Sequence, residues 1–128
     1  MMCLADVEGK KLLIVMTTGP EDPEKTYAPF YTAALSAAME VDTSMYFLMH
    51  APKLLKNGSA EQVKLKKGGT LKQFINMALE GGVKFYACEE SLRSLCEIDP
   101  ADVIEGVKIV GSSTLADLAL EADSVLSF

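Results

Sequence analysis

Short apolar segments without polar alternation constrain the fold of this chain more than any other feature of its sequence. The clearest are the runs LLIVM within residues 10–18 and MYFLM within residues 44–50. Strands that are buried on both faces of a parallel sheet have this pattern. Similar runs predict three further strands at residues 83–88, 107–111 and 124–128.

Segments with helical spacing separate these strands. We expect helices at about residues 23–40, 70–80, 89–95 and from Ser112 or Ser113 onward. This alternation predicts an α/β fold that is doubly wound, with a mainly parallel five-stranded sheet, helices on both faces and a flavodoxin-like topology. A chain of 128 residues suits one domain. We expect residues 10–128 to form that domain and residues 1–9 to be a flexible leader.

Two local signals refine the helix starts. Thr70, followed three residues later by Gln73, fits a capping box at the start of a helix. Pro29 conflicts with a regular helix over residues 23–40, because proline lacks the N–H group that a helix interior uses. It either kinks the first turns or indicates that the regular helix starts nearer Thr26.

The charge of the chain restricts its partners. A net charge of −6 argues against nucleic acid, since phosphate binding requires a basic face. Half of the 12 Lys and Arg residues nevertheless lie within twenty positions: Lys53, Lys56, Lys64, Lys66, Lys67 and Lys72. This lysine-rich stretch is either a solvated loop, as charge runs usually are, or a positive patch for an anionic ligand or an acidic partner.

Other composition features favour a cytoplasmic protein without a metal or cofactor. No apolar run approaches the length of a membrane span, and residues 1–9 lack the pattern of a signal peptide. Three cysteines, one histidine and no C-x-x-C spacing predict neither a disulfide framework nor a zinc site. The turn after the first strand has no dinucleotide-binding or Walker-type phosphate motif.

Cys88 is the strongest chemical candidate, because it ends the predicted strand at residues 83–88. Ligands of open α/β sheets bind at the carboxyl edge of the strands, and a following helix N-terminus stabilises a thiolate. Glu89 and Glu90 disfavour a thiolate, whereas Arg93, about one turn further on, could offset them. The alternative is a buried cysteine that packs as a small apolar side chain.

Four other side chains are auxiliary candidates. Thr17 and Thr18 end the first predicted strand, and His50 ends the second, where it could act as an acid–base group. Cys96 shares a helical face with Leu92, which favours core packing. A disulfide between Cys88 and Cys96 is not expected, because eight helical residues separate the two Cα atoms by roughly 12 Å, beyond the limit of about 7 Å.

The chain resembles the DsrE/DsrF-like sulfur-relay family, of the DsrE/DsrF/TusD type, from about residue 10 to residue 128. The most specific part is Tyr86-Ala87-Cys88 with Ile104-Glu105-Gly106 downstream. The rest of the resemblance lies in the first strand with its Gly19-Pro20-Glu21-Asp22 turn, the Ala-rich first helix, Glu89-Glu90-Ser91 and the closing Ala122–Phe128.

The resemblance implies a small α/β subunit that assembles into homotrimers or homohexamers. It implies that Cys88 carries a persulfide or thiosulfonate and exchanges it with a TusA-like sulfur carrier protein or other sulfur-relay proteins. Many members of the family lack the cysteine, so the family alone would not imply activity. Cys96 could share or resolve the sulfur cargo.

We therefore expect a cytosolic sulfur carrier, similar to sulfurtransferases, that accepts and passes on sulfane sulfur or thiosulfonate on Cys88. One alternative is a module that binds a small anion or a nucleotide without covalent chemistry. Another is a structural subunit of a hetero-oligomer. The accessibility of the Cys88 sulfur separates these hypotheses.

Overall fold

The computed structural model describes residues 6–128, which form a five-stranded parallel sheet with helices on both faces. The strands are β1 (Lys11–Met16), β2 (Asp42–Phe47), β3 (Lys84–Cys88), β4 (Val107–Val110) and β5 (Ser124–Ser127). The α-helices are α1 (Tyr27–Ala38), α2 (Leu71–Glu80) and α3 (Ser112–Glu121). Short 3-10 helices cover Pro23–Lys25, Ala51–Leu55, Ala60–Gln62 and Pro100–Asp102, and a π-helix covers Ser91–Leu95. The predicted α/β class is confirmed.

The strand order is β4-β3-β2-β1-β5, which differs from the 2-1-3-4-5 order of the expected flavodoxin-like topology. Each step from β1 to β4 moves one strand sideways in the same direction, and the chain reverses only after β4. Because parallel crossovers are right-handed, steps in one direction place their connections on one face, and the reversal places α3 on the other. Apolar periodicity identifies strands but carries no information on their lateral order, so the order of the strands in the sheet could not be predicted from the sequence.

The larger core lies between the sheet and the two helices α1 and α2. Phe30 of α1 packs on Phe47 of β2 and Phe85 of β3, with ring centroids 5.6 and 5.8 Å apart, and the rings of Phe47 and Phe85 are 5.1 Å apart. Alternate strand residues point to this side, so the period of two along β2 and β3 supplies the aromatic cluster.

The opposite face of the sheet is covered by α3 and has a smaller core. Leu13, Tyr46 and Cys88 are its buried residues, and Leu115 and Leu118 of α3 pack against them. No residue of α3 is fully buried. This thinner layer leaves the neighbourhood of Cys88 closer to the surface than the aromatic core.

The structure corrects the predicted capping of α2 and the predicted bounds of the first helix. Thr70 occupies the N-cap position of α2 but makes no side-chain capping bond; the N–H of Leu71 instead donates to the carbonyl of Val63 at 2.9 Å. The predicted helix over residues 23–40 is split, and α1 begins just after Thr26. Pro29 therefore lies in the first turn of α1, where a missing N–H costs no helical hydrogen bond.

The predicted leader is only partly covered by the structure. Residues 1–5, which include Cys3, lie outside the described residues. Residues 7–10 form a turn, in which the N–H of Gly9 donates to the carbonyl of Glu40 at 3.0 Å. Among residues 6–128, no helix combines the length and apolar character that crossing a bilayer requires.

Replacing Phe85 with Ala should lower the free energy of unfolding by about 3–5 kcal/mol, because a buried ring would leave a cavity between two other rings. Urea denaturation followed by circular dichroism measures the change. Leu120→Ala is the control, since Leu120 is 86% exposed and its truncation should change stability by less than about 0.5 kcal/mol. Equal effects of the two substitutions would contradict this description of the core.

Candidate functional site

Cys88 lies where the connections of two neighbouring strands leave the sheet toward opposite faces. The segment after β3 returns over the α1/α2 face, where Val103 and Ile104 pack against the larger core. The segment after β4 is α3, which packs on the other face. Such divergence opens a crevice at the carboxyl edge of a parallel sheet, which is the usual ligand position in this class of fold. Cys88 is the last residue of β3 and pairs with Val110 of β4.

Hydrogen-bond donors surround the Cys88 sulfur. Burial by itself raises the pKa of the thiol, but hydrogen bonds to its sulfur outweigh that effect and leave the pKa lowered. The donors are the Ser91 hydroxyl, the backbone N–H of Ser91, the Tyr46 hydroxyl and the backbone N–H of Glu90. They favour the thiolate, which is the reactive form of cysteine.

The acidic residues that follow Cys88 do not reverse this balance. Glu89 pairs with Arg93, whose Nε lies 3.7 Å from the Glu89 carboxylate, and both side chains are more than half exposed. Arg93 therefore interacts with Glu89 on the solvent side of the helix and is not among the groups that act on the sulfur. Glu90 lines the cavity beside Cys88.

Tyr46 connects Cys88 to the end of β4. Its side chain is fully buried on the same face of the sheet as Cys88, and its hydroxyl donates to the carbonyl of Gly111 at 2.9 Å. Burial, the charge of the Cys88 thiolate and a hydrogen bond with it raise the pKa of Tyr46 to about 12. A neutral phenol has one proton, so it can donate to the Gly111 carbonyl or to a thiolate, but not fully to both.

A surface cavity of about 470 Å³ gives access to this sulfur. Cys88 is 6% exposed, and it lines the cavity together with Leu48, Met49, Glu90, Ser91, Ser94, Leu95 and Ser112. The cavity lining thus includes serine hydroxyls, the Glu90 carboxylate and the exposed apolar side chains of Met49 and Leu95. The cavity can therefore accommodate a small polar group bound to the sulfur, and its exposed apolar side chains are accessible to a partner protein.

The backbone of Met49 links the two described cysteines. Its N–H donates to the Ser91 hydroxyl at 2.9 Å, and its carbonyl accepts a hydrogen bond from the Cys96 sulfur at 3.2 Å. Met49 has a φ of 57°, in the left-handed region that non-glycine residues rarely adopt. Strained backbone of this kind is often found at functional sites.

Cys96 opens into a different cavity from Cys88. It is partly buried and lines a cavity with residues of the lysine-rich stretch, so the expected packing in the core is not observed. Burial raises the pKa of its thiol; Lys53 opposes that effect and the Glu21 carboxylate adds to it. Cys88 and Cys96 are both free thiols.

The remaining predicted candidates lie away from the Cys88 sulfur. Strand β2 ends at Phe47, so His50 lies beyond the strand in the next turn. Burial raises the pKa of the Glu21 carboxyl, but the Gly19 N–H and, to a smaller extent, the charges of His50 and Lys53 outweigh it and leave that pKa lowered. The N–H and hydroxyl of Thr17 both donate to the carbonyl of Phe128, at 2.8 and 3.1 Å. Thr18 follows β1, two strands from Cys88 in the sheet.

Sequence reasoning missed the three residues that shape the surroundings of the sulfur. Tyr46 was assigned only to the apolar pattern of its strand, although its hydroxyl needs a partner when buried. Ser91 follows Cys88 by three residues at the start of a helix, a spacing that could have indicated it. Nothing in the sequence signals the left-handed backbone of Met49.

Within residues 6–128, no group of three or more His, Cys, Asp or Glu side chains could hold a metal ion.

Comparison with known proteins gives a family and a set of structural neighbours. The DsrE/DsrF-like family matches residues 10–128. The uncharacterised protein MJ0760 of Methanocaldococcus jannaschii is 31% identical over 104 residues, which are 81% of this chain and 38% of that protein. This chain thus matches little more than a third of the length of that curated relative.

Two solved structures share the fold. The crystal structure of the ychN protein from E. coli has a TM-score of 0.78 and 23% identity, and the match covers 93% of this chain and 99% of that one. Protein MTH1491 from Methanobacterium thermoautotrophicum, described as of unknown function, has a TM-score of 0.66 and 17% identity over 94% of this chain and 100% of that one. At these identities the likeness concerns the fold.

Replacing Tyr46 with Phe should raise the pKa of Cys88, because the thiolate loses one of its hydrogen-bond donors. Alkylation of Cys88 by iodoacetamide near pH 7 should slow by on the order of tenfold, since a hydrogen bond to a charged group is worth about 1.5–3 kcal/mol. The rate at high pH, where the thiol is ionised in both proteins, should differ less. The measurement is the pH profile of the alkylation rate, read by peptide mass spectrometry.

Tyr86→Phe is the matched control for this substitution. Tyr86 lies on the same face of the sheet and is only partly buried, and its hydroxyl is not among the donors to Cys88. Its replacement should leave the pH profile of Cys88 unchanged. Identical profiles for wild type and Tyr46→Phe would contradict the role given to the Tyr46 hydroxyl.

Proposed function

The chain belongs to the DsrE/DsrF-like family, and on that premise we propose that it is a cytosolic sulfur carrier that accepts and passes on sulfane sulfur or thiosulfonate on Cys88. The observation that carries the proposal is the Cys88 sulfur itself. It lies at the crevice between β3 and β4, its pKa is lowered by surrounding donors, and it borders an open cavity. A carrier thiol needs this combination of ionisation and access.

Loading and unloading require no oxidant. The Cys88 thiolate attacks the outer sulfur of a donor persulfide R–S–SH, forms Cys88–S–SH and releases R–S⁻. A partner's thiolate then attacks the outer sulfur of Cys88–S–SH, takes it as a new persulfide and leaves the Cys88 thiolate. The donors from Ser91, Glu90 and Tyr46 stabilise Cys88 as the leaving group in this second step, which supports easy delivery of the cargo.

A thiosulfonate is loaded by the same type of exchange. The Cys88 thiolate attacks a central sulfur of tetrathionate, forms Cys88–S–S–SO₃⁻ and releases thiosulfate. The hydroxyls of Ser94 and Ser112 border the cavity and are suited to donate to sulfonate oxygens.

The partner that exchanges sulfur is proposed to be a TusA-like carrier or another sulfur-relay protein. Met49 and Leu95, at the rim of the Cys88 cavity, are exposed apolar side chains. They offer an apolar contact surface around the reacting sulfur, as interfaces with partner proteins do. Transfer between thiols needs such a docking surface because the two sulfurs must come into contact.

Self-association into homotrimers or homohexamers is proposed to use the β5 edge of the sheet. Strand β5 is an edge strand, and Val125, Leu126 and Phe128 are exposed along it. Exposed apolar edge strands are usually covered by another chain or by a further element.

The sulfur-carrier proposal is tested by mass spectrometry after incubation of the reduced protein with tetrathionate. A thiosulfonate adduct is expected on Cys88 in the wild type and in Cys96→Ser, which is the matched control because it removes the other described thiol. Cys88→Ser should lose the adduct at this position. A correctly folded protein whose Cys88 forms no adduct with tetrathionate would contradict the proposal. Co-purified ligand would then favour a non-covalent binding module, and tight binding to a paralogue would favour a structural subunit.

The proposed self-association is tested with Val125→Glu. A carboxylate on the β5 edge should be costly to bury between subunits, so the protein should elute as a smaller species by light scattering coupled to gel filtration. Met77→Glu is the control, because Met77 on α2 is 42% exposed and Val125 is 44% exposed. A wild type that is monomeric at all concentrations, or a Val125→Glu protein with unchanged mass, would argue against this interface.

A further inference from the structure

A second cavity, larger than the one at Cys88, is lined in part by Cys96. Its volume is about 590 Å³, within the range of about 300–1,000 Å³ that small-molecule sites occupy. Pro20, Pro23, Cys96 and Ile98 line part of it. The rest of the lining comes from the first part of the lysine-rich stretch: Lys53, Lys56, Asn57, Gly58, Ser59, Gln62, Val63 and Lys64.

The cavity is cationic in a chain whose net charge is −6. Lys53, Lys56 and Lys64 line it, and no Asp or Glu side chain does. Lys56 forms a long ion pair of 3.9 Å with Asp102, and both partners are about half exposed. Across residues 6–128 the structure gives no ion pair to Lys53 or Lys64. Asp102 offsets part of the positive charge at Lys56, and the Glu21 carboxylate, which interacts electrostatically with Lys53, offsets part of it there, so the cavity keeps a smaller positive charge.

The backbone holds these lysines in place independently of any ligand. Lys53 belongs to the 3-10 helix Ala51–Leu55, which is anchored by the fully buried Leu54 and Leu55. Lys56 forms an isolated bridge with Val103, and Lys64 forms one with Thr70. Because the backbone is already ordered, binding would have to order only the lysine side chains, which costs less entropy than ordering a mobile lysine tail.

Neutral groups in the cavity also suit an anion. Asn57, Ser59 and Gln62 provide amide and hydroxyl donors. The Cys96 thiol stays protonated near neutral pH, because burial raises its pKa, and so it adds no negative charge. The residues that line the cavity are thus cationic or neutral, and the carboxylates of Glu21 and Asp102 lie close to it but outside the lining.

We propose that this cavity binds a small organic or inorganic anion with at least two negatively charged groups. The lysine-rich stretch is thereby divided: Lys53, Lys56 and Lys64 belong to the anion site, whereas Lys66, Lys67 and Lys72 do not line it. The volume is that of a small-molecule site, which favours a small molecule over an acidic protein surface, since a protein interface would cover a broader area. The site is separate from Cys88 and does not depend on sulfur transfer.

The test uses the full chain and two probes, citrate and inorganic pyrophosphate. Titration should saturate for at least one probe, shift the amide resonances of Gly58 and Ser59, and slow the alkylation of Cys96 measured at pH 9. Alkylation of Cys88 should be unaffected. Cys88→Ser should bind with wild-type affinity, so failure of the sulfur-carrier proposal and failure of the anion site are distinguishable.

Charge removal inside and outside the cavity provides the matched comparison. The double variant Lys53→Gln/Lys64→Gln should bind about tenfold more weakly, since each exposed charge contributes up to a few-fold in affinity. Lys66→Gln/Lys67→Gln removes the same charge from the same stretch and should stay within about twofold of the wild type. Absence of saturable binding of both probes, or equal weakening in the two double variants, would overturn the proposal. Binding of poly-glutamate but of neither probe would overturn it in favour of an acidic protein partner.

Discussion

The divergence of the chain at the ends of β3 and β4 is the constraint on which the proposed chemistry of this fold depends. Because the connection after β3 covers one face and α3 covers the other, neither closes the space above the carboxyl ends of these strands. Cys88 ends β3 with its side chain on the α3 face, where the covering layer is thin. In a flavodoxin-like order the reversal comes after β2, which would place the divergence between β1 and β3 instead of between β3 and β4.

The two described cysteines show how local surroundings separate thiols of the same chain. Both are subject to burial, which raises a thiol pKa. At Cys88, hydrogen bonds from Ser91, from the Glu90 N–H and from the Tyr46 hydroxyl, which also donates to Gly111, outweigh that effect. At Cys96, the thiol itself donates to the Met49 carbonyl, a bond that only the protonated form can make. The surroundings of Cys88 therefore favour the reactive thiolate, whereas those of Cys96 favour the neutral thiol.

Much of the fold could be predicted from the sequence because apolar runs and helical spacing report burial directly. The five strands and the position of Cys88 at a strand end follow from such local patterns. The strand order, the hydrogen bond from Tyr46 to Gly111 and the division of the lysine-rich stretch depend on contacts between residues far apart in the chain. The sequence predicts His50 at the end of the second strand, but β2 ends three residues earlier, at Phe47. Single-sequence patterns carry no information about such long-range pairings.

The left-handed backbone of Met49 has a consequence for which substitutions this surface tolerates. Its side chain is 48% exposed, and a residue of that exposure normally accepts almost any replacement. Here the backbone conformation orients both the N–H toward Ser91 and the carbonyl toward Cys96. Valine and isoleucine, whose branched side chains fit poorly at positive φ, would be selected against, while asparagine and glycine would be accepted. The backbone conformation thus limits which residue types position 49 accepts. A surface position is then as restricted in sequence as a core position usually is.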